Sequence, residues 1–204
     1  MWSDIVWRCL PQPPVTTCGG VAAGTVEIWY NGNATTTRQI AAPDLGFTIQ
    51  GIADFNGNVF SDILWRHTFG TLAIWPEGNP NPTWPGGLDH NWRLEGVGEF
   101  DGNSRADILW RCLPIAPTTA CGEAPAGSVA IWHDGTNATT WHGLAFALLE
   151  MKGIGDFDGD GRGDILWRGP GGPVIWLGAS GTDTLVPASP GASWEVAGVG
   201  RFDL

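Results

Sequence analysis

The chain has 204 residues, a formal net charge of −11 and one lysine, Lys152. So acidic a surface lacks the basic patches by which proteins hold nucleic acid or an anionic membrane, and no run of about 18 apolar residues offers a membrane span. Hydrophobic residues make up 43%, enough for a real core in one domain or two small ones, and 31 Gly, 15 Pro and 13 Trp skew the rest.

In chain order, the opening "MWSDIVWR" has neither a charged n-region nor an apolar h-region. It is not read as a signal peptide, which leaves a cytosolic chain or a mature, excised one. Its stretch D-I-x-W-R, 4–8, is a short predicted strand that returns at 62–66, 107–111 and 164–168. After the first and third copies comes a Pro-rich C-x8-C loop, Cys9 to Cys18 and Cys112 to Cys121. Two local disulfides are the natural reading and imply an oxidising compartment; no CxxC spacing or histidine partner supports zinc instead.

Each copy is followed by a second predicted strand ending in Ile-Trp, at Ile28-Trp29, Ile74-Trp75, Ile131-Trp132 and Ile175-Trp176. Matching turns then carry Asn33-Ala34-Thr35 and Asn137-Ala138-Thr139, so Asn33 and Asn137 are possible glycosylation acceptors, or plain turn residues in a bacterial protein. Before each interior copy lies G-[IV]-[AG]-[DE]-F-[ND]-G, at 51–57, 96–102 and 153–159. Trp92 and Trp194 stand four residues before a Gly-Val-Gly, with Phe47 and Leu149 in that place elsewhere. "LAFALLEMK" comes nearest to a helical period and is short, so the chain reads as all-β.

The signature aspartates lie 58, 45 and 57 residues apart, the excess coming from the two cysteine loops. The signatures span 4–29, 51–75, 96–132 and 153–176 within a single repeat domain, 1–204. In "DILW" Ile and Trp point to one face and Asp and Leu to the other, so both faces carry apolar groups, as a sheet between two neighbours requires. Units of roughly 50 residues and four strands are the size of propeller blades. The eight tryptophans in repeated positions are expected to fill the gaps between them.

The third interior turn, "DFDGDGRGD", places Asp156, Asp158, Asp160 and Asp164 at positions 1, 3, 5 and 9, with the carbonyl of Arg162 at 7 and Gly161 at 6. Oxygen ligands at that spacing around a sharp turn are what a calcium loop needs. The EF-hand glutamate at position 12 is absent, and a strand follows instead of a helix. An ion-free turn held by Asx-type hydrogen bonds is the alternative.

These residues, with D-I-L-W after them, resemble the FG-GAP or VCBS repeats, the calcium-loop blades of integrin α-subunit propellers and many secreted microbial proteins. The resemblance covers essentially the whole chain and implies a β-propeller of four such blades. It extends the metal assignment to Glu99, Asp101, Asn103, Arg105 and Asp107, and to Asp54, Asn56, Asn58, Phe60 and Asp62, giving two to three structural Ca2+ sites. Amides at two positions and Val59 in place of glycine predict weaker binding in the 54–62 loop.

A fourth copy is divided between 194–204 and 1–8. Joined, the halves put Arg201 at position 1, Asp203 at 3 and Asp4 at 9, a site expected to be metal-free. Three arrangements follow: a closed four-bladed ring, two chains making eight blades, or blades completed head-to-tail between chains.

Arg8, Arg66, Arg111 and Arg168 each follow the strand tryptophan. A structural role, bonding carbonyls or stacking on indole, is favoured over a ring of ligand-binding groups. "RGD" at 162–164 is not read as an adhesion motif, since Asp164 already belongs to the metal loop. His67, His90, His133 and His142 form no HExxH pair and no G-x-S-x-G elbow exists, so the chain is not read as an enzyme.

The resemblance implies a non-catalytic, calcium-stabilised extracellular or cell-surface protein adhering to a surface or matrix component, with carbohydrate the leading ligand class. Trp84, Trp141 and Trp2, outside the strict repeat, are the candidate stacking platforms. The alternatives are a fibre or surface-layer subunit assembling with copies of itself through the divided blade, and an accessory module of a polysaccharide-active enzyme.

Overall fold

The computed structural model describes residues 3–41, 44–145, 148–191 and 193–201. Strands rich in β-branched and aromatic residues form four antiparallel sheets in sequence. Sheet one holds β1 (Ile5–Arg8), and then, beyond the short ribbon β2 (Thr17–Cys18) and β3 (Val21–Ala22), β4 (Val26–Trp29) and β5 (Thr37–Ile40). Sheet two holds β6 (Phe47–Ala53), β7 (Asp62–His67), β8 (Thr71–Trp75) and β9 (Thr83–Gly87). Sheet three holds β10 (Trp92–Gly98), β11 (Asp107–Cys112), the ribbon β12 (Ala120–Cys121) and β13 (Ala124–Pro125), β14 (Ser128–Trp132) and β15 (Thr139–Leu144). Sheet four holds β16 (Glu150–Gly155), β17 (Asp164–Gly169), β18 (Gly172–Trp176) and β19 (Thr184–Leu185). The chain is all-β: no α-helix occurs among the described residues, and "LAFALLEMK" contributes to β15 and β16 instead.

Sheets two to four share one plan, each strand pairing with the next. The first strand of each carries a bulge at the same place, between Ile49 and Gly51, Leu94 and Gly96, and Met151 and Gly153. Sheet one has three strands: β1 pairs with β4, and no described strand takes the place of β6, β10 or β16. Among the described residues no pairing joins β1 to Trp194–Arg201, so strand pairing does not close the four sheets into a ring.

The core lies between the sheets. Val26, Ile28 and Ile40 of sheet one pack on Ile63, Trp65 and Trp75 of sheet two. Leu64 and Ile74 face Ile108, Trp110 and Trp132 of sheet three. Leu109 and Ile131 face Ile165, Trp167 and Trp176 of sheet four. The two faces of the D-I-L-W strands of sheets two and three therefore serve two different interfaces, as the alternation predicts. Each fully buried indole takes about 200 Å² from water, roughly 5 kcal/mol of gross burial.

Six of the eight repeated tryptophans are buried; Trp7 and Trp29 are not, as no sheet among the described residues packs on their side of sheet one. The arginines have the structural role. Arg8, Arg66 and Arg111 stack on Trp65, Trp110 and Trp167 of the following sheet at 5.2, 5.1 and 5.0 Å. Arg66 also donates to the carbonyls of Leu88, Asp89 and Trp92 at 2.9–3.0 Å.

The glycine of G-[IV]-[AG] has a packing reason. A Cβ on Gly51 would lie 2.8 Å from Val97, on Gly96 2.9 Å from Ile154, and on Gly153 2.5 Å from Val199. Only glycine lets the first strand of the next sheet come so close.

Candidate metal centre

Each acidic loop joins the first strand of its sheet to the D-I-L-W strand. The last aspartate, Asp62, Asp107 or Asp164, is fully buried. One oxygen accepts the N–H of Phe55, Phe100 or Phe157 within its own loop, at 2.9, 2.8 and 2.7 Å. The other accepts the N–H of Glu77, Asp134 or Gly178, at 2.9, 2.9 and 2.7 Å. Those three residues sit at φ 51–55° in the short turn after each Ile-Trp. Asp4 does the same for Asn31 at 2.8 Å. The repeated aspartate is therefore first an anchor tying the loop to the turn beyond the second strand. Sequence reasoning missed this, though the signal was present: Asn31, Asp134 and Gly178 are residue types that tolerate φ > 0.

Burial pushes Asp62, Asp107 and Asp164 above the usual carboxylate range, against the pull of their N–H donors. Neighbouring Asp158 and Asp160 add to the rise at Asp164, and Asp101 to that at Asp107, where His133 opposes it. A cation would relieve this strain in the charged form.

Two loops converge enough to hold one. Asp156, Asp158 and Asp164 each offer an oxygen, all within 4.8 Å of one another. A Ca2+ about 2.3–2.6 Å from each ligand keeps opposite oxygens roughly 5 Å apart, so the spacing fits. Asp160 lies outside this group; its Oδ1 accepts the Arg162 N–H at 2.8 Å. Asp101 and Asp107 converge likewise with His133, whose Nδ1 stands 3.3 Å from Asp101 and 3.5 Å from Asp107. His133 was not among the expected ligands, because it arrives from the turn after β14. Glu99 bonds the N–H groups of its own loop. Asn103 donates to Asp134 at 2.7 Å, and Arg105 stands 3.5 Å from the same carboxylate.

The 54–62 loop supplies no group of three histidine or acidic ligands among the described residues. Its amides act as donors instead: Asn56 to Asp62 at 3.3 Å and Asn58 to Glu77 at 2.7 Å. Val59 holds φ 68° at the sixth place, and Phe60 is exposed. All three loops carry Asx-type bonds, such as Gly57 N–H to Asp54 at 2.7 Å and Gly159 N–H to Asp156 at 2.6 Å. The loops also link to one another, Ala106 N–H donating to the Asp54 carbonyl at 2.7 Å.

Both disulfides are present, Cys9–Cys18 and Cys112–Cys121, each with Cα atoms 5.8 Å apart. No helix among the described residues is long and apolar enough to cross a membrane. Trp84 and Trp141, expected outside the strict repeat, share one place in sheets two and three: nine residues after Trp75 and Trp132. They are 60% and 59% exposed, and rest against Phe47 and Trp92 with ring centres 6.3 and 5.7 Å apart. Arg38 and Leu185 hold that place in the other sheets. Trp2 and Asp203 lie outside the described residues. Asn33 and Asn137 are exposed, with Asn33 Oδ1 accepting from both N–H and O–H of Thr35.

Comparison of the chain with protein-family models, with curated proteins and with solved structures gives no match.

Proposed function

We propose that this chain is a non-catalytic, calcium-stabilised extracellular module of FG-GAP/VCBS type that adheres to a surface or matrix through carbohydrate. The observation that carries the ligand class is the pair Trp84 and Trp141. Two large indoles are left open at one register position of adjacent sheets, each backed by a second aromatic ring. Exposed indoles of this kind suit stacking on the C–H faces of sugar rings.

Propeller-type blades account for the four sheets in series, with the first strands β6, β10 and β16 side by side. Calcium has a structural role: it neutralises Asp156, Asp158 and Asp164 and holds the loop that leads into β17. The converged oxygens of that loop support this, as does the absence there of the amide donors that serve the 54–62 loop. Two disulfides support an oxidising, extracellular setting.

The test is a glycan array in millimolar calcium, followed by titration of any hit against Trp84→Ala and Trp141→Ala. Binding that falls at least tenfold in each variant supports the reading. A flat array, or binding that both variants retain, removes it.

A further inference from the structure

Three relationships repeat from sheet to sheet, and all three stop at the same two ends. The arginine of each D-I-x-W-R strand stacks on the tryptophan of the next sheet. Among the described residues Arg168 covers no such ring, and Trp7 has no arginine over it. Trp7 is 49% exposed where Trp65, Trp110 and Trp167 are fully buried.

The Val or Ile of each first strand fills the glycine notch of the sheet before it: Val97 on Gly51, Ile154 on Gly96, Val199 on Gly153. Ile52, the first of that series, has no notch to fill and is 45% exposed. Gly198, the last, has nothing within 4 Å of where its Cβ would stand.

Each first strand also pairs with the D-I-L-W strand that follows it. The stretch Trp194–Gly200 is seated on sheet four as such a first strand, yet it pairs with nothing among the described residues. β1 conversely has no first strand beside it among the described residues. An open cleft of about 800 Å³ lies between β1 and sheet two, lined by Val6, Ile28 and Arg38 on one side and Ile52, Phe60 and Glu77 on the other.

We infer that Trp194–Gly200 of one copy of the chain occupies this cleft in a second copy, adding the missing strand to β1. The pairing of β10 with β11 gives the register: Trp194 opposite Cys9, Glu195 opposite Arg8, Val196 opposite Trp7, Gly198 opposite Val6, and Val199 opposite Ile5. Glu195 and Arg8 then form an opposite-charge cross-strand pair. Ile52 of the second copy enters the notch at Gly198, and Arg168 covers Trp7 of the second copy. Val199 keeps its seat on Gly153 and Gly155 throughout, so the donor strand need not leave its own sheet. The contact joins two different surfaces and repeats at the far end, so it builds a head-to-tail polymer by strand addition. It goes beyond the carbohydrate reading and does not depend on it.

Gly198→Leu tests this on the full chain. A Cβ at this position has no atom of its own chain within 4 Å, so the fold is expected to be kept, which the melting temperature checks, while the added side chain fills the notch meant for Ile52. Light scattering of the unaltered chain is expected to show mass rising with concentration, and the G198L chain to remain single at every concentration. An unaltered chain that stays single, or a G198L chain that associates as well as the unaltered one, overturns the inference. A second readout fixes the geometry: Ile5→Cys combined with Val199→Cys, which stand opposite in the register. Mild oxidation is expected to give a ladder of linked chains on a non-reducing gel. A link closed within one chain overturns the inference in favour of a ring, and no new link overturns the register.

Discussion

The buried carboxylate of Asp164 accepts the backbone N–H of Gly178 at 2.7 Å, tying the most acidic loop to the turn that ends β18. Its second oxygen holds Phe157 N–H at the same distance. One side chain is thus both a brace between two strands and a member of an acidic group that could hold a cation.

These two roles separate by mutation. Asp164→Ala removes a buried carboxylate that accepts from two part-buried N–H groups and is expected to cost about 2–3 kcal/mol, with or without calcium. Asp158→Asn leaves the brace intact and is expected to change stability by less than about 0.5 kcal/mol in chelator, while weakening the calcium response. Urea unfolding of both variants, with calcium and with chelator, checks this.

Acidity should act in opposite directions with and without the ion. Asp62, Asp107 and Asp164 are pushed above the usual carboxylate range by burial. A carboxylate whose folded pKa is raised binds its proton more tightly when folded. That contribution to stability is complete below the unfolded pKa and is lost as pH rises through the folded one. In chelator, melting temperature is therefore expected to rise as pH is lowered from neutrality toward the usual carboxylate range. With calcium the increment over chelator is expected to shrink on the same path, since protons compete for the ligand oxygens. Calorimetric melts across that range, with and without calcium, give both trends.

Val59 occupies φ 68°, a left-handed conformation that is costly for a β-branched residue, where the third loop uses Gly161. Val59→Gly is expected to stabilise the fold by about 0.5–1 kcal/mol, the relief of strain exceeding the entropy cost of glycine. A loss of stability in thermal melts would show that the exposed Val59 side chain contributes packing instead.

Arg66 links sheets two and three through Trp110 and three carbonyls. Arg66→Lys keeps the charge but has no planar group to stack on Trp110. It is expected to lose about 1–3 kcal/mol, close to the loss in Arg66→Ala. Denaturant titration of the pair distinguishes this from a purely electrostatic role, in which lysine would restore most of the stability.

The sheet order, the two disulfides and the two-sided core were legible because each rests on local pattern: D-I-x-W-R, Ile-Trp, and C-x8-C return at matched positions. The acidic loops were legible as loops, and Asp156, Asp158 and Asp164 do converge. Asp160 and Glu99 do not join the groups of ligand atoms, although their spacing along the chain matches the motif. His133 was invisible because it reaches its loop across the sheet from the turn after β14, and spacing along the chain carries no record of that. The notch glycines were visible as a motif, but their purpose depends on the neighbouring sheet. Trp84 and Trp141 looked irregular because sheets one and four carry Arg38 and Leu185 instead.

The most direct measurement is calcium titration calorimetry of the full chain, paired with Asp156→Asn/Asp158→Asn. Saturable binding of at least one Ca2+ at millimolar levels or tighter, greatly weakened in the double variant, is the result the account predicts. No binding heat, together with melting temperatures that calcium and chelator leave equal, would contradict it and leave the loops as turns held by their own hydrogen bonds.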